Sequence, residues 1–192
     1  MKRDDVLDRF RRTGALLEGH FVLTSGLHST QYLQCALVLQ HPAEAEALGR
    51  ALAEQFARAH VETIVAPAIG GIIIGWEVAR ALGVRSIWTE REGGRMTLRR
   101  GFAVRPGERV LVVEDVVTTG GSTRETIAAL REAGALVVGA ASIIDRSGGS
   151  ADVGVPRVAL VTLEVPAVAP ASCPQCAAGI AAVKPGSRKD KP

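Results

Sequence analysis

The sequence predicts an α/β fold, with a central mostly parallel sheet flanked by helices and a small N-terminal hood in front of it. Three observations carry this prediction. Short apolar runs at Ile64–Ala68, Ser86–Trp88, Val110–Val113, Val137–Ile144 and Val158–Val165 read as strands. Segments with helical periodicity lie between them and stop at glycine, as at Gly83 and Gly134, which is the rhythm of βαβ units. Directly after the strands come glycine, hydroxyl and charged residues, where parallel sheets bind their ligands.

In chain order, Arg3 to Leu17 places Val6, Phe10 and Leu17 at helical spacing behind early acids, and predicts an amphipathic helix weakened by Gly14. The stretch 20–40 mixes alternation with a Ser-Gly turn and predicts two short strands around a loop. Pro42 opens a second helix reaching about Ala59, with Leu48, Leu52 and Phe56 on one stripe. Ile69-Gly70-Gly71 turns the first core strand into a helix that ends at Gly83. "EREGGRMTLRRGF" is a charged excursion, a mobile loop or hairpin. A helix is expected from about Ser122 to Glu132. The units expected are a hood (1–40), a core (41–165) and a tail (166–192) that packs on the hood or is loosely held.

Composition narrows the function. At 192 residues and 47% hydrophobic content, the chain can bury a substantial core. Its apolar stretches are broken by Gly, Glu or Arg, and the first ten residues alternate charge with apolar side chains, so no membrane partner and a cytoplasmic location are expected. A net charge of +3 and 4% aromatics suit a small anionic ligand and argue against nucleic acid. Cys173 and Cys176 form a CPQC pair that cannot complete a zinc site without a symmetry mate or other groups; it is read as a reduced thiol pair, with a site shared across a dimer as the alternative. His20, His28, His41 and His60 show no metal-ligand spacing and are assigned no role.

Four segments should converge beyond the strand ends: "PAIGG" (67–71), "TEREGGR" (89–95), "EDVVTTGGS" (114–122) and "DRSGG" (145–149). Glu114 and Asp115 cannot both be buried and unpaired, because desolvating an ionised carboxylate is costly, so they should face a ligand. Thr118, Thr119, Gly120, Gly121 and Ser122 set hydroxyls and backbone amides at a helix N-terminus, a ready anion site. Carboxylates beside an anion hole fit sugar hydroxyls next to a phosphate. Gly70 and Gly71 would let a phosphate approach the backbone closely.

"VLVVEDVVTTGGS" resembles the phosphoribosyl pyrophosphate signature of the type I phosphoribosyltransferases. The resemblance implies that family's fold, with Glu114 and Asp115 on the ribose hydroxyls and Val116, Val117 and residues 118–122 around the 5-phosphate. It places Ile69, Gly70, Gly71, Arg91 and Arg95 on the pyrophosphate side and counts Arg91 with the acid pair in catalysis. Within the family, "FVLTSGLHSTQYLQ" (21–34), "DRSGG" and "CPXCXXG…KPGSR" look like a bacterial subgroup of orotate phosphoribosyltransferases. That likeness implies orotate held by Thr118, Arg146, Tyr32 and Leu33, with Arg146 on the carboxylate. It further implies Mg²⁺ held mainly by the substrates rather than by direct side-chain ligation, and a homodimer sharing the mobile loop across its interface. A purine phosphoribosyltransferase, or a regulator that binds phosphoribosyl pyrophosphate without turning it over, stays open as an alternative.

The chain departs from the better-known orotate enzymes. Thr24 stands where they carry lysine, and Ile69-Gly70 where they have Tyr-Lys. No lysine or histidine falls between residues 61 and 183, so Arg91, Arg95, Arg99 and Arg100 are the loop's cations. Arginine neutralises pyrophosphate charge but is a poor proton shuttle.

Overall fold

A computed structural model of the chain describes residues 1–23, 25–165 and 167–185. Thr24 and the end of the "KPGSR" segment therefore lie outside the described residues. The elements run α1 (Arg3–Arg12), β1 (Leu16–Val22), β2 (His28–Leu33), α2 (Cys35–Leu39), α3 (Pro42–Gln55), β3 (Thr63–Pro67), α4 (Gly71–Leu82), β4 (Arg85–Glu92), β5 (Arg95–Leu98), β6 (Arg109–Val117), α5 (Gly121–Glu132), β7 (Leu136–Asp145), β8 (Arg157–Thr162), β9 (Ala167–Val168) and α6 (Pro174–Ala177).

Six strands form the central sheet in the order β5-β4-β3-β6-β7-β8, parallel except for β5. The chain leaves β3 towards β4 on one side, then crosses to β6 on the other. The loops after β3 and β6 thus flank the switch point of the sheet, where a crevice opens. β6 is apolar without interruption because both its faces are covered. Leu111 and Val113 pack with Val6, Phe10, Leu48, Leu52 and Ile74 of α1, α3 and α4; Val110 and Val112 pack with Ile127 and Leu130 of α5.

Several expected boundaries move. α1 stops at Arg12, because Gly14, just after the C-cap Thr13, turns the chain at a positive φ, and Leu17 belongs to an exposed position of β1. α3 ends at Gln55, since Phe56 leaves the helix to enter the core. β6 runs past Val113 to Val117, paired with β7 as far as Val117↔Asp145, so Glu114 and Asp115 lie within a strand rather than after one. "EREGGR" is a hairpin: Gly93 and Gly94 both take positive φ, and Glu92 pairs with Arg95 across a two-residue turn.

A second sheet, β1-β2-β9, forms the hood. Its third strand comes from the tail, which pairs Val168 with His28 and returns at Val183 to bond the backbone of His20 and Val22. No helix among the described residues is long and apolar enough to cross a membrane.

Candidate active site

The site begins with Glu114 and Asp115. Pairing of β6 with β7 carries Glu114 into a position only 8% exposed, while Asp115 is half-buried. Burial, then the neighbouring Asp115 charge, pushes Glu114 up to about 9. Asp115 is also raised by burial, although it accepts from the Val116 amide at 2.8 Å. Among the described residues no cation acts on either group, and both are shifted towards the protonated form. The pair is poised to accept hydroxyl donors or a cation.

Beyond it, Thr118, Thr119, Gly120, Gly121 and Ser122 wrap a cavity of about 290 Å³ that also touches Glu114, Val116, Val117 and Arg91. Gly120 holds a positive φ and begins α5, leaving the first amides of that helix free of backbone partners on the cavity side. This is a phosphate-sized hole with helix-dipole and hydroxyl lining.

The β3–α4 turn closes the other side of the switch point. It carries a cis peptide at Ala68–Ile69. A side chain on Gly70 would meet the Asp115 carboxylate, which would have to shift, whereas one on Gly71 would lie 2.9 Å from the Val113 backbone carbonyl, so Gly71 is required for this turn to reach β6. Ile69 is 85% exposed at the tip.

The loop arginines separate. Arg91 lies in β4, lines the cavity and pairs with Glu125 at 2.8 Å. Arg95 points away, 3.4 Å from Glu132, and does not line that cavity. Arg99 bridges Glu90 and Glu92, and Arg100 pairs with Glu90. All four are held by carboxylates of this chain at rest.

Arg146 follows β7 and anchors through its amide to the Val117 carbonyl at 2.8 Å. It does not pair with Asp145. That acid, 1% exposed, instead takes Arg157 at 2.9 Å, the Ser147 amide and hydroxyl, and the Gly149 amide. The knot holds the loop in place and leaves Arg146 unpaired with Asp145, within electrostatic range of Cys35 of α2 and Tyr32 of β2. Burial lowers its pKa, and its Nε is buried with no hydrogen-bond partner among the described residues. Burial, then the Asp115 charge, raises the Cys35 thiol, with Arg146 acting in the opposite sense, so the acid pair and the arginine lie within electrostatic range of one buried residue. Leu33 faces the core, leaving only its backbone available to a ligand there.

Sequence reasoning missed Arg157, whose partner lies a strand away and has no sequence signal. It also missed a cluster in the hood: His20, His28, Cys173 and Cys176 converge with their ligand atoms within 4.8 Å of one another. Linear spacing gives these histidines no role and reads the cysteines as a thiol pair, with no sign that the four converge. Strand pairing and the returning tail create a proximity that linear spacing hides.

Comparison with known proteins agrees with this geometry. The phosphoribosyl transferase domain model matches residues 36–158. The orotate phosphoribosyltransferase of Pelotomaculum thermopropionicum is 59% identical over 98% of this chain and 100% of its own length. That of Thermotoga maritima is 55% identical over 95% and 98%. The crystal structure of orotate phosphoribosyltransferase from Aeropyrum pernix superposes with a TM-score of 0.67 at 29% identity, covering 83% of this chain and 94% of that one. A domain match over more than half the chain, near-full-length relatives and a matching acid–phosphate crevice together place this chain in the orotate phosphoribosyltransferase family.

Proposed function

We propose that this protein transfers the 5-phosphoribosyl group of phosphoribosyl pyrophosphate to a ring nitrogen of orotate, giving orotidine 5′-monophosphate and pyrophosphate with inversion at the anomeric carbon. The observation that carries the choice of acceptor is Arg146. A half-buried arginine whose Nε is buried without a hydrogen-bond partner among the described residues, on the loop that follows β7, suits a planar anionic acceptor, and a carboxylate meets a guanidinium with paired hydrogen bonds. Tyr32 lies within electrostatic range of it. A purine carries no such carboxylate.

In this reading Glu114 and Asp115 take the ribose hydroxyls, and residues 118–122 take the 5-phosphate. Gly70 and Gly71 let pyrophosphate approach the β3–α4 turn. Arg91 exchanges Glu125 for pyrophosphate, and Arg95 serves a neighbouring subunit if the hairpin is shared. The transition state gains positive charge at the sugar, so the protein's contribution is positioning and electrostatic stabilisation rather than a covalent intermediate. Closure of the β4–β5 hairpin would exclude water, whose attack on the activated sugar is the competing reaction.

The donor set also fits Mg²⁺. Adjacent buried carboxylates without an opposing cation are hard oxygen donors, and they would hold the ion through the ribose hydroxyls. The ion would neutralise pyrophosphate charge. A homodimer is supported by Ile69, Ile73 and Trp76, which are 85%, 47% and 59% exposed and follow one another at helical spacing on and before α4.

The test is steady-state turnover with orotate, adenine, guanine, hypoxanthine and xanthine. Activity confined to orotate supports the assignment; activity on a purine with none on orotate overturns it. Pyrophosphate-dependent breakdown of orotidine monophosphate separates an enzyme from a pure binder.

A further inference from the structure

We infer that the hood holds a tetrahedral zinc ion bound by His20, His28, Cys173 and Cys176. This site lies outside the phosphoribosyl crevice and takes no part in the chemistry proposed for it.

The geometry is that of a collapsed ligand shell. His20 Nε2 lies 2.8 Å from His28 Nδ1 and 3.4 Å and 3.7 Å from Cys173 Sγ and Cys176 Sγ, while Cys176 Sγ lies 3.2 Å from His28 Nδ1. A zinc tetrahedron built from ordinary Zn–N and Zn–S bonds has edges of about 3.3–3.8 Å. Small side-chain movements therefore open the cluster around an ion. The donors are two nitrogens and two sulfurs, the set of a closed structural zinc site.

Each donor is delivered by a specific local feature. β1 shifts register against β2 between Glu18 and Phe21, and His20 sits in that irregularity, which turns its ring towards His28. The other ring nitrogen of His20, Nδ1, meets the Ile180 carbonyl at 2.8 Å. That contact fixes Nδ1 as the N–H donor and leaves Nε2 as a bare lone pair facing the cluster. On the tail, Pro174 starts the single turn of α6, so Cys173 and Cys176 are presented from one side of a tight loop. Gln175 Nε2 donates to the Gly19 carbonyl at 3.2 Å and anchors that loop beside β1.

Charge agrees with burial. Two thiols lose their protons on binding, so Zn²⁺ with two thiolates and two neutral imidazoles is electrically neutral. Three of the four residues are buried, where a neutral complex costs little and unpaired charge would cost much. The site also meets a structural need. Between residues 167 and 183 only Cys173 is buried among the apolar residues, and Ile180 and Val183 are exposed, so this segment has almost no core of its own. Two residue pairs of β9 and a bridge at Val183 are its backbone ties to the hood. A metal joining both strands of the β1–β2 hairpin to the tail would lock them as one unit. The same hairpin carries Tyr32 towards the crevice.

The test uses the full-length protein. Metal analysis after gel filtration is expected to find about one zinc per chain, and stripping with a chelator followed by Co²⁺ should produce the intense visible bands and thiolate charge-transfer absorption of a tetrahedral cobalt–thiolate centre. Cys176→Ala, at the exposed corner, should lose most of the zinc and the charge-transfer intensity, whereas Cys35→Ala should keep both. Chelation should expose the tail to limited proteolysis. Less than a tenth of an equivalent of metal together with no cobalt–thiolate spectrum in the wild-type chain overturns the inference, as does a Cys173–Cys176 disulfide in its place. One equivalent of iron or copper instead of zinc overturns the metal assignment. The wild-type spectrum decides the matter even if Cys176→Ala fails to fold.

Discussion

Gly70 and Asp115 are packed so closely that a methyl group on Gly70 would lie 2.7 Å from Asp115 Oδ2. The turn after β3 is thereby fitted to the acid of β6, and in the proposed assignment the pyrophosphate and ribose sites would share this wall. Gly70 has a helical backbone conformation that alanine adopts freely, so Gly70→Ala should fold and act by displacing a carboxylate. We expect kcat/KM for phosphoribosyl pyrophosphate to fall about 100-fold, the scale of a misplaced positioning group. The melting temperature should change little. Kinetics and a thermal melt on the same preparation check both, and intact activity would remove Asp115 from the ribose site.

The raised carboxyl of Glu114 gives a pH signature. Glu114 is raised to about 9 from an ordinary 4.5, so the native state holds more protons than the unfolded chain between these values, and stability of the free protein falls as pH rises through that window. Glu114→Gln removes this penalty and should raise the melting temperature at pH 8 while abolishing most turnover. Ligands that donate to the pair should expel its proton. Titration calorimetry with Mg²⁺ and phosphoribosyl pyrophosphate in buffers of different ionisation enthalpy should show proton release near neutral pH; an enthalpy independent of buffer contradicts it.

Arg146→Ala should raise KM for orotate about 30- to 100-fold, the scale of lost charge-assisted hydrogen bonds, with KM for phosphoribosyl pyrophosphate nearly unchanged. Arg146→Lys should recover only part of this, because an ammonium cannot present two parallel N–H groups. Steady-state kinetics with each substrate varied in turn reads the split. The reverse pattern would move Arg146 out of the base pocket.

Arg157→Met leaves buried Asp145 without its ion-pair partner. Breaking such a pair costs about 3–5 kcal/mol, which denaturant unfolding should register. The DRSGG loop should loosen with it, so KM for orotate should rise although Arg157 touches no substrate in our assignment.

At the far end of the sheet, burial alone would raise Glu108, but the Arg105 amide, the Thr63 hydroxyl and Arg85 outweigh it and hold the carboxyl at about 2. A depressed carboxyl contributes stability that is complete above about pH 4.5 and is lost as pH falls towards 2. The contribution is on the order of 2 kcal/mol, less than the full shift because the side chains of Arg85 and Arg105 are substantially exposed. Glu108→Gln should flatten acid unfolding over that interval, as followed by circular dichroism.

The α/β alternation and the acid–phosphate stretch were legible in the sequence because they are local. Strand, carboxylates, hydroxyl loop and helix start follow one another within thirteen residues, Val110 to Ser122, and each obeys nearest-neighbour chemistry. Strand ends were less legible: β6 extends past its apolar run because its backbone pairs with β7, which depends on residues more than twenty positions away. The same limit separates Arg91, which reaches the cavity, from Arg95, which does not.

By itself, the sequence determined the fold class and singled out the stretch 114–122 that lines the cavity, since periodicity and turn chemistry act over a few residues. Only the tertiary structure decided the remainder. It freed Arg146 by giving Asp145 to Arg157, and it set the Asp115 carboxylate against Gly70. It brought two histidines of the hood to two cysteines about 150 residues later in the chain. Those relationships arise from strand crossing and chain return, and burial then turns proximity into raised carboxyls, satisfied charges and a cluster of nitrogen and sulfur donors.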